Sequence, residues 1–173
     1  MSRSTLSIWQ TFASKPGGKW AFSRLLCFKA PYFGSIRPRF EELRPGYCRV
    51  RIRKRRAVLN HLGTMHAVAM CNMAELAGGT MTEVTIPSTH RWIPKGMTVE
   101  YLKMAKMDLV AVATPHAQID WAVPGEFKVK VAVRDQEGDP VFNALITMWV
   151  APRKNQSGRT CNSSRQPPPS GAA

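Results

Sequence analysis

The segment from His66 to Gly79 constrains the fold most. It is almost entirely small and apolar, with Asn72 and Glu75 as its main polar interruptions. It is too long for an ordinary strand, contains no proline, and reads as a helix with Gly78-Gly79 as its stop signal. A helix apolar on every side has to be surrounded by protein. Strand-like patterns flank it. Before it, Cys48, Val50 and Ile52 alternate with Arg49, Arg51 and Arg53, the period of a half-solvated strand. After it, Met97–Lys103, Leu109–Thr114, Phe127–Arg134 and Val141–Val150 are apolar runs separated by short turns such as Pro124-Gly125 and Glu137-Gly138-Asp139-Pro140. Short turns between consecutive strands predict an antiparallel meander. Strands, one buried helix and then more strands give an α+β protein rather than repeated βαβ units.

The chain of 173 residues has room for one such core and tails. Residues 37–151 are expected to form the domain and residues 1–36 an N-terminal helical extension. Residues 152–173, with Pro167-Pro168-Pro169 and little to bury, are expected to be a disordered tail. No apolar run reaches the roughly 18 residues of a spanning helix. The first forty residues contain no acid, and that composition alone would suit an organellar transit peptide. Trp9, Phe12, Trp20, Phe22, Leu25, Leu26 and Phe28 give them far more apolar bulk than a leader needs, so packing against the domain is the preferred reading. Four well-separated cysteines without a C-x-x-C pair point to reduced thiols in a reducing cytoplasm.

The net charge of +14 suggests a polyanionic partner, but it is unevenly spread. Residues 1–59 carry 14 Lys and Arg against 2 acids, whereas residues 60–151 carry 7 against 9. The densest run, Arg49 to Arg56, could be a solvated strand face or could meet phosphates. Within it Arg55 and Arg56, and further along Arg91, are candidates for such contacts, because a guanidinium binds phosphate in a bidentate manner. Nucleic-acid binding through this run is a weaker alternative, for no interleaved aromatic series accompanies it. His61, His90 and His116 lack metal-ligand spacing and read as surface or loop residues; no metal site is expected. Met65, Met70, Met73 and Met81 read as core filling or as a pliable cavity lining.

Asn60-His61-Leu62-Gly63-Thr64-Met65-His66-Ala67, followed by Glu75, resembles the loop and helix start of hotdog-fold acyl-CoA thioesterases of the phenylacetate-pathway and hydroxybenzoyl-CoA type. In that group an Asn or Gln lies six residues before a His, and an Asp or Glu lies nine after it. The segment 60–105, with Arg91-Trp92-Ile93-Pro94-Lys95-Gly96-Met97, also resembles an uncharacterised bacterial branch of the superfamily. The resemblance implies an antiparallel sheet wrapped around one long helix, and hydrolysis of an acyl-CoA thioester. It implies a homodimer or tetramer whose sites are shared by two chains, and no cofactor beyond the coenzyme A of the substrate. It assigns Glu75 as base or nucleophile, the Ala67 N–H as holder of the thioester oxygen, and Asn60 and His66 as positioning groups. Gly63 and Asn72 are candidate substrate neighbours; Asn72, one turn before Glu75 on the same helix face, reads more readily as a structural hydrogen-bond partner than as a catalyst. The family usually has Gly-Gly after the His, where this chain has Ala67-Val68. The extra bulk keeps a non-catalytic acyl-CoA-binding protein as the alternative.

Helical geometry adds its own constraint. Nine residues at about 100° each turn through two and a half revolutions, so Glu75 and His66 face opposite ways. A second, two-fold-related copy would be needed to bring the two groups together. Set in an apolar helix, Glu75 is expected to be buried and its pKa raised by desolvation.

Overall fold

The structure, a computed structural model, describes residues 4–117 and 120–153; the expectation of a disordered tail falls almost wholly outside them. Six antiparallel strands form one sheet in the order β1-β2-β4-β5-β6-β3. They are β1 (Arg39–Arg44), β2 (Tyr47–Ile52), β3 (His90–Tyr101), β4 (Leu109–Pro115), β5 (Gly125–Arg134) and β6 (Pro140–Pro152). Helices α1 (Thr5–Ala13) and α2 (Gly18–Lys29) and a 3-10 segment (Pro31–Ile36) precede the sheet, and α3 (Ala67–Thr85) lies against it. This is the expected α+β arrangement of a sheet around a long helix.

The outward and inward residues of β2 alternate as predicted: Cys48, Val50 and Ile52 are fully buried. In β1 the buried Phe40 and Leu43 are three residues apart, which a regular strand would place on opposite faces. A β-bulge at Glu41 restores the phase. It also turns the Glu41 carboxylate to both outward arginines of β2, at 2.8 Å from Arg49 Nε and 2.5 Å from Arg51 Nε.

Two expectations are corrected. β4, β5 and β6 form a meander, but β3 pairs with β6 at the far edge instead of with β4. The side of β4 away from β5 is already taken by β2. The 19 residues of α3, about 28 Å at 1.5 Å each, carry the chain across the sheet to its other edge. As an edge strand β3 can also hold Pro94, whose ring nitrogen has no ladder hydrogen to give. The second correction concerns Gly78-Gly79, which lie inside α3 instead of ending it. A Cβ at Gly78 would stand 2.8 Å from Ile146 Cδ1, and one at Gly79 2.8 Å from the Trp92 ring. Close approach of helix to sheet, and not chain reversal, accounts for the pair.

The N-terminal helices cover the opposite edge. Trp9 of α1, Phe22 of α2 and Phe40 of β1 form an aromatic cluster, with Trp9–Phe22 and Phe22–Phe40 centroids 5.1 and 5.2 Å apart in edge-on geometry. Ser23 Oγ donates to the Lys19 carbonyl and accepts from the Phe40 N–H, tying α2 to β1.

Candidate active site

The loop before α3 is built by Asn60. Its Oδ1 accepts from the backbone N–H groups of Leu62 (3.0 Å) and Thr64 (3.1 Å), and its Nδ2 donates to Thr64 Oγ1 (2.9 Å). This closed side-chain turn is helped by Gly63, which adopts φ 73°. Gly63 thus serves as a turn residue, and its neighbourhood is open. His66 then caps the helix: its Nδ1 accepts from the Val68 N–H at 3.1 Å. That bond leaves Nε2 as the hydrogen-bearing nitrogen of the neutral ring. The N–H of Ala67 has no hydrogen-bond partner among the described residues. It projects from the positive end of α3, where a developing negative charge is stabilised.

Three cavities divide the predicted residues between them. Asn60 and Ala67 line one of 320 Å³ with Met70 and Tyr101. His66 and Asn72 line a second, also 320 Å³, under the 3-10 segment. Glu75 lines a third of 420 Å³, whose wall is largely apolar and includes Leu26, Phe33, Leu76, Trp92 and Pro94. One chain therefore keeps Glu75 away from the helix tip, as the half-revolution requires.

Several site expectations change. Glu75 is exposed in the single chain rather than buried. It lies on the flank of α3 that the sheet leaves uncovered. Asn72 does not share the Glu75 cavity. Three residues turn through about 300°, which brings it under the 3-10 segment, where Nδ2 donates to Ser35 Oγ at 3.1 Å and Oδ1 is buried without a partner. Arg55, Arg56 and Arg91 do not converge. The Arg55 guanidinium donates to the Ser35 carbonyl, Arg56 is exposed on a short 3-10 turn, and Arg91 stands on edge strand β3. Of the three, only Arg55 connects, through Ser35, to the cavity of His66. His90 opens β3, half-buried and bonded to the Trp121 carbonyl at 2.9 Å, instead of lying in a loop.

The sequence reading missed Trp92, Glu83 and the extension. Trp92 Nε1 donates to Glu83 Oε2 at 2.8 Å, which holds the indole as a wall of the Glu75 cavity. Glu83 lies eight residues after Glu75, about 80° round the helix, so helical spacing could have placed it on the same flank. Thr5, Leu26, Lys29 and Phe33 reach the cavity from the N-terminal helices, and no local pattern signals that. Tyr101 Oη lies 3.1 Å from Cys71 Sγ; this contact, with burial added, raises the phenol to about 12. Asp135, Glu137 and Asp139 form an acidic group of a size that could hold a metal ion, but the Lys103 ammonium and the N–H groups of Glu137 and Asp139 already engage Asp135.

Residues 18–150 match a family described as a domain of unknown function, DUF4442. A structural-genomics crystal structure is 50% identical, with a TM-score of 0.75 over 86% of this chain and 98% of the other. A thioesterase from Haemophilus influenzae superposes with a TM-score of 0.66 at 12% identity, over 74% of this chain and 87% of its own. A mutant thioesterase from Pseudomonas aeruginosa gives 0.67 at 16% identity, over 78% and 94%. The comparison with curated proteins gives no match. The fold is the hotdog fold of thioesterase-like proteins.

Proposed function

The chain belongs to the DUF4442 family, and from that premise we propose that it hydrolyses an acyl-CoA thioester to the free acid and coenzyme A. One observation carries this reading. The unpartnered Ala67 N–H at the amino end of α3 and the Glu75 carboxylate on its outward flank are the two groups thioester hydrolysis needs. The first would hold the carbonyl oxygen as it becomes an oxyanion. The second would take a proton from water as the water oxygen attacks the carbonyl carbon. The oxyanion then collapses back to a carbonyl, the C–S bond breaks with its electron pair going to sulfur, and the proton held by Glu75 passes to the departing coenzyme A thiolate.

A second copy completes the constellation. β3 is an open edge with Ile93, Met97 and Tyr101 exposed, a surface that invites pairing with another β3. Such a dimer, or a tetramer built from it, would bring Glu75 of one chain to the helix tip of the other and bury the carboxylate. The apolar wall around Glu75 favours a fatty or aromatic acyl group. Asn60 shares the cavity of Ala67 and has one Nδ2 hydrogen left for the carbonyl or for water.

Thiol release from a panel of acyl-CoA substrates tests this. Glu75→Gln is expected to lower kcat by at least about a hundredfold with unchanged melting temperature. Parental turnover in that variant removes Glu75 from the mechanism. The second reading, an acyl-CoA-binding protein without turnover, is favoured by the Val68 side chain, which stands 54% exposed where the resembled family has glycine. Binding of acyl-CoA without thiol release across the panel would select it.

A further inference from the structure

The outward side of α2 is unlike the surface of an ordinary globular helix. Trp20 is 62% and Phe28 87% exposed, and Leu25 and Tyr32 just beyond are also open. Trp20, Arg24 and Phe28 follow one another at four-residue spacing, so they share one stripe. The opposite side of the helix is spoken for: Phe22, Ser23 and Cys27 face β1 and the core. The exposed aromatics are therefore not residues awaiting burial in their own domain.

Beside the stripe is a cavity of 690 Å³ with Trp20 in its rim. Its wall includes Arg24, Arg37, Arg39, Arg53, Lys54 and Arg55. None of these six is in an ion pair among the described residues, whereas Arg51, also in the wall, is held by Glu41. The one acid there, Asp108, already accepts the Lys54 N–H at 2.9 Å. Burial, and beyond it the charges of Arg37 and Arg24, pushes the Arg55 guanidinium below its ordinary value, and its Nε is buried without a partner. Arg37 is held at φ 45°, the one positive-φ non-glycine residue among those described. That is a strained conformation for an arginine preceding a proline. Cations are gathered here against their own repulsion, beside an aromatic stripe.

We propose that this face docks the protein on an anionic phospholipid bilayer, with Trp20, Phe28 and Tyr32 entering the interface and lipid phosphates seated in the cationic cavity beside them. Aromatic side chains with a basic surround are the composition of interfacial helices, and a negatively charged leaflet attracts each lysine or arginine near its surface. A nucleic acid fits less well, because a convex helix carries the aromatics and leaves no sheet platform on which bases could stack. Among the described residues no helix is long and apolar enough to span, and the contact proposed is a peripheral one. The proposal does not rest on thioester hydrolysis, although Tyr32 also lines the cavity of His66 and Arg55 bonds to Ser35 of that cavity.

Co-sedimentation of the full chain with phosphatidylcholine vesicles, with and without about 30% phosphatidylserine, tests it. Binding to the anionic vesicles that weakens at high salt is expected. Trp20→Ala with Phe28→Ala should weaken it by about tenfold or more at unchanged melting temperature. Arg39→Glu with Arg53→Glu should weaken it on the order of a hundredfold and remove the preference for phosphatidylserine. Four results would overturn the proposal. One is absence of binding, or binding that ignores both variants. Another is a smaller oligomer in the Trp20/Phe28 variant, which assigns the stripe to a second copy of the chain. Displacement from vesicles by free coenzyme A would assign the cavity to the nucleotide, and tighter binding of a short RNA would assign it to nucleic acid.

Discussion

Asn60 holds the loop that aims the Ala67 N–H, and it does so with both of its side-chain atoms. Asn60→Ala leaves the buried Thr64 with an unpaired N–H, a loss of about 1–3 kcal/mol that urea unfolding would read. Asn60→Asp keeps the acceptor and removes the Nδ2 hydrogens. A variant of nearly parental stability with reduced thiol release would show that Nδ2 serves the substrate as well as the loop. Parental release would confine Asn60 to loop building. The spacing of Asn60, His66 and Glu75 is legible in sequence because a loop and a helix start are local. What those side chains bond to is less so: that Asn60 spends its acceptor on its own loop, or that Asn72 turns to Ser35, depends on atoms placed by folding.

At the scale of elements, α3 shows how a pattern can be read correctly in kind and wrongly in detail. Its apolar composition announces a buried helix, and Gly78-Gly79 looks like the end of it. The helix continues to Thr85 because those two positions meet Ile146 and Trp92. Gly79→Ala puts a methyl group within 2.8 Å of the Trp92 ring, a flat, inflexible neighbour. The ring must shift and strain its bond to Glu83. Overpacking of this kind costs about 1–3 kcal/mol, partly offset by the better helix propensity of alanine. Because Trp92 also walls the Glu75 cavity, KM for bulky acyl groups is expected to rise with little change in kcat, alongside altered tryptophan fluorescence. Unaltered KM and fluorescence would mean that Trp92 has room to move freely. The bulge in β1 and the displacement of β3 to the far edge follow the same logic: each is set by which neighbour a strand finds, and strand periodicity is silent on that.

For the molecule as a whole, charge and packing are segregated. Acid groups are few, and two of them bind several partners each. Burial tends to raise the Glu41 carboxyl, but hydrogen bonds from Arg49 and Arg51 outweigh it and hold the group below the ordinary value. Asp135 behaves alike: burial raises it, and Lys103 with the N–H groups of Asp139 and Glu137 lowers it further. Carboxyls depressed in the folded state contribute stability above their unfolded values, about 3.9 for Asp and 4.3 for Glu. That contribution is lost as pH falls through the lower folded values. The melting temperature should therefore be level from neutral pH to about 5 and fall below about 4. Glu41→Gln should start lower at neutral pH and fall less steeply. A variant whose acid profile parallels the parent would show that the bulge pair is inert.

Taken alone, the sequence determined the succession of strands and helices, the buried character of α3 and the opposition of Glu75 to His66. Each of these follows from periodicity or spacing along one short stretch of backbone. Only the tertiary structure decided that β3 lies at the far edge, that the extension walls the Glu75 cavity, and that the cations of residues 24–55 meet around one space. Those arrangements join residues tens of positions apart, and such contacts are selected by close packing in three dimensions, for which a linear pattern holds no record.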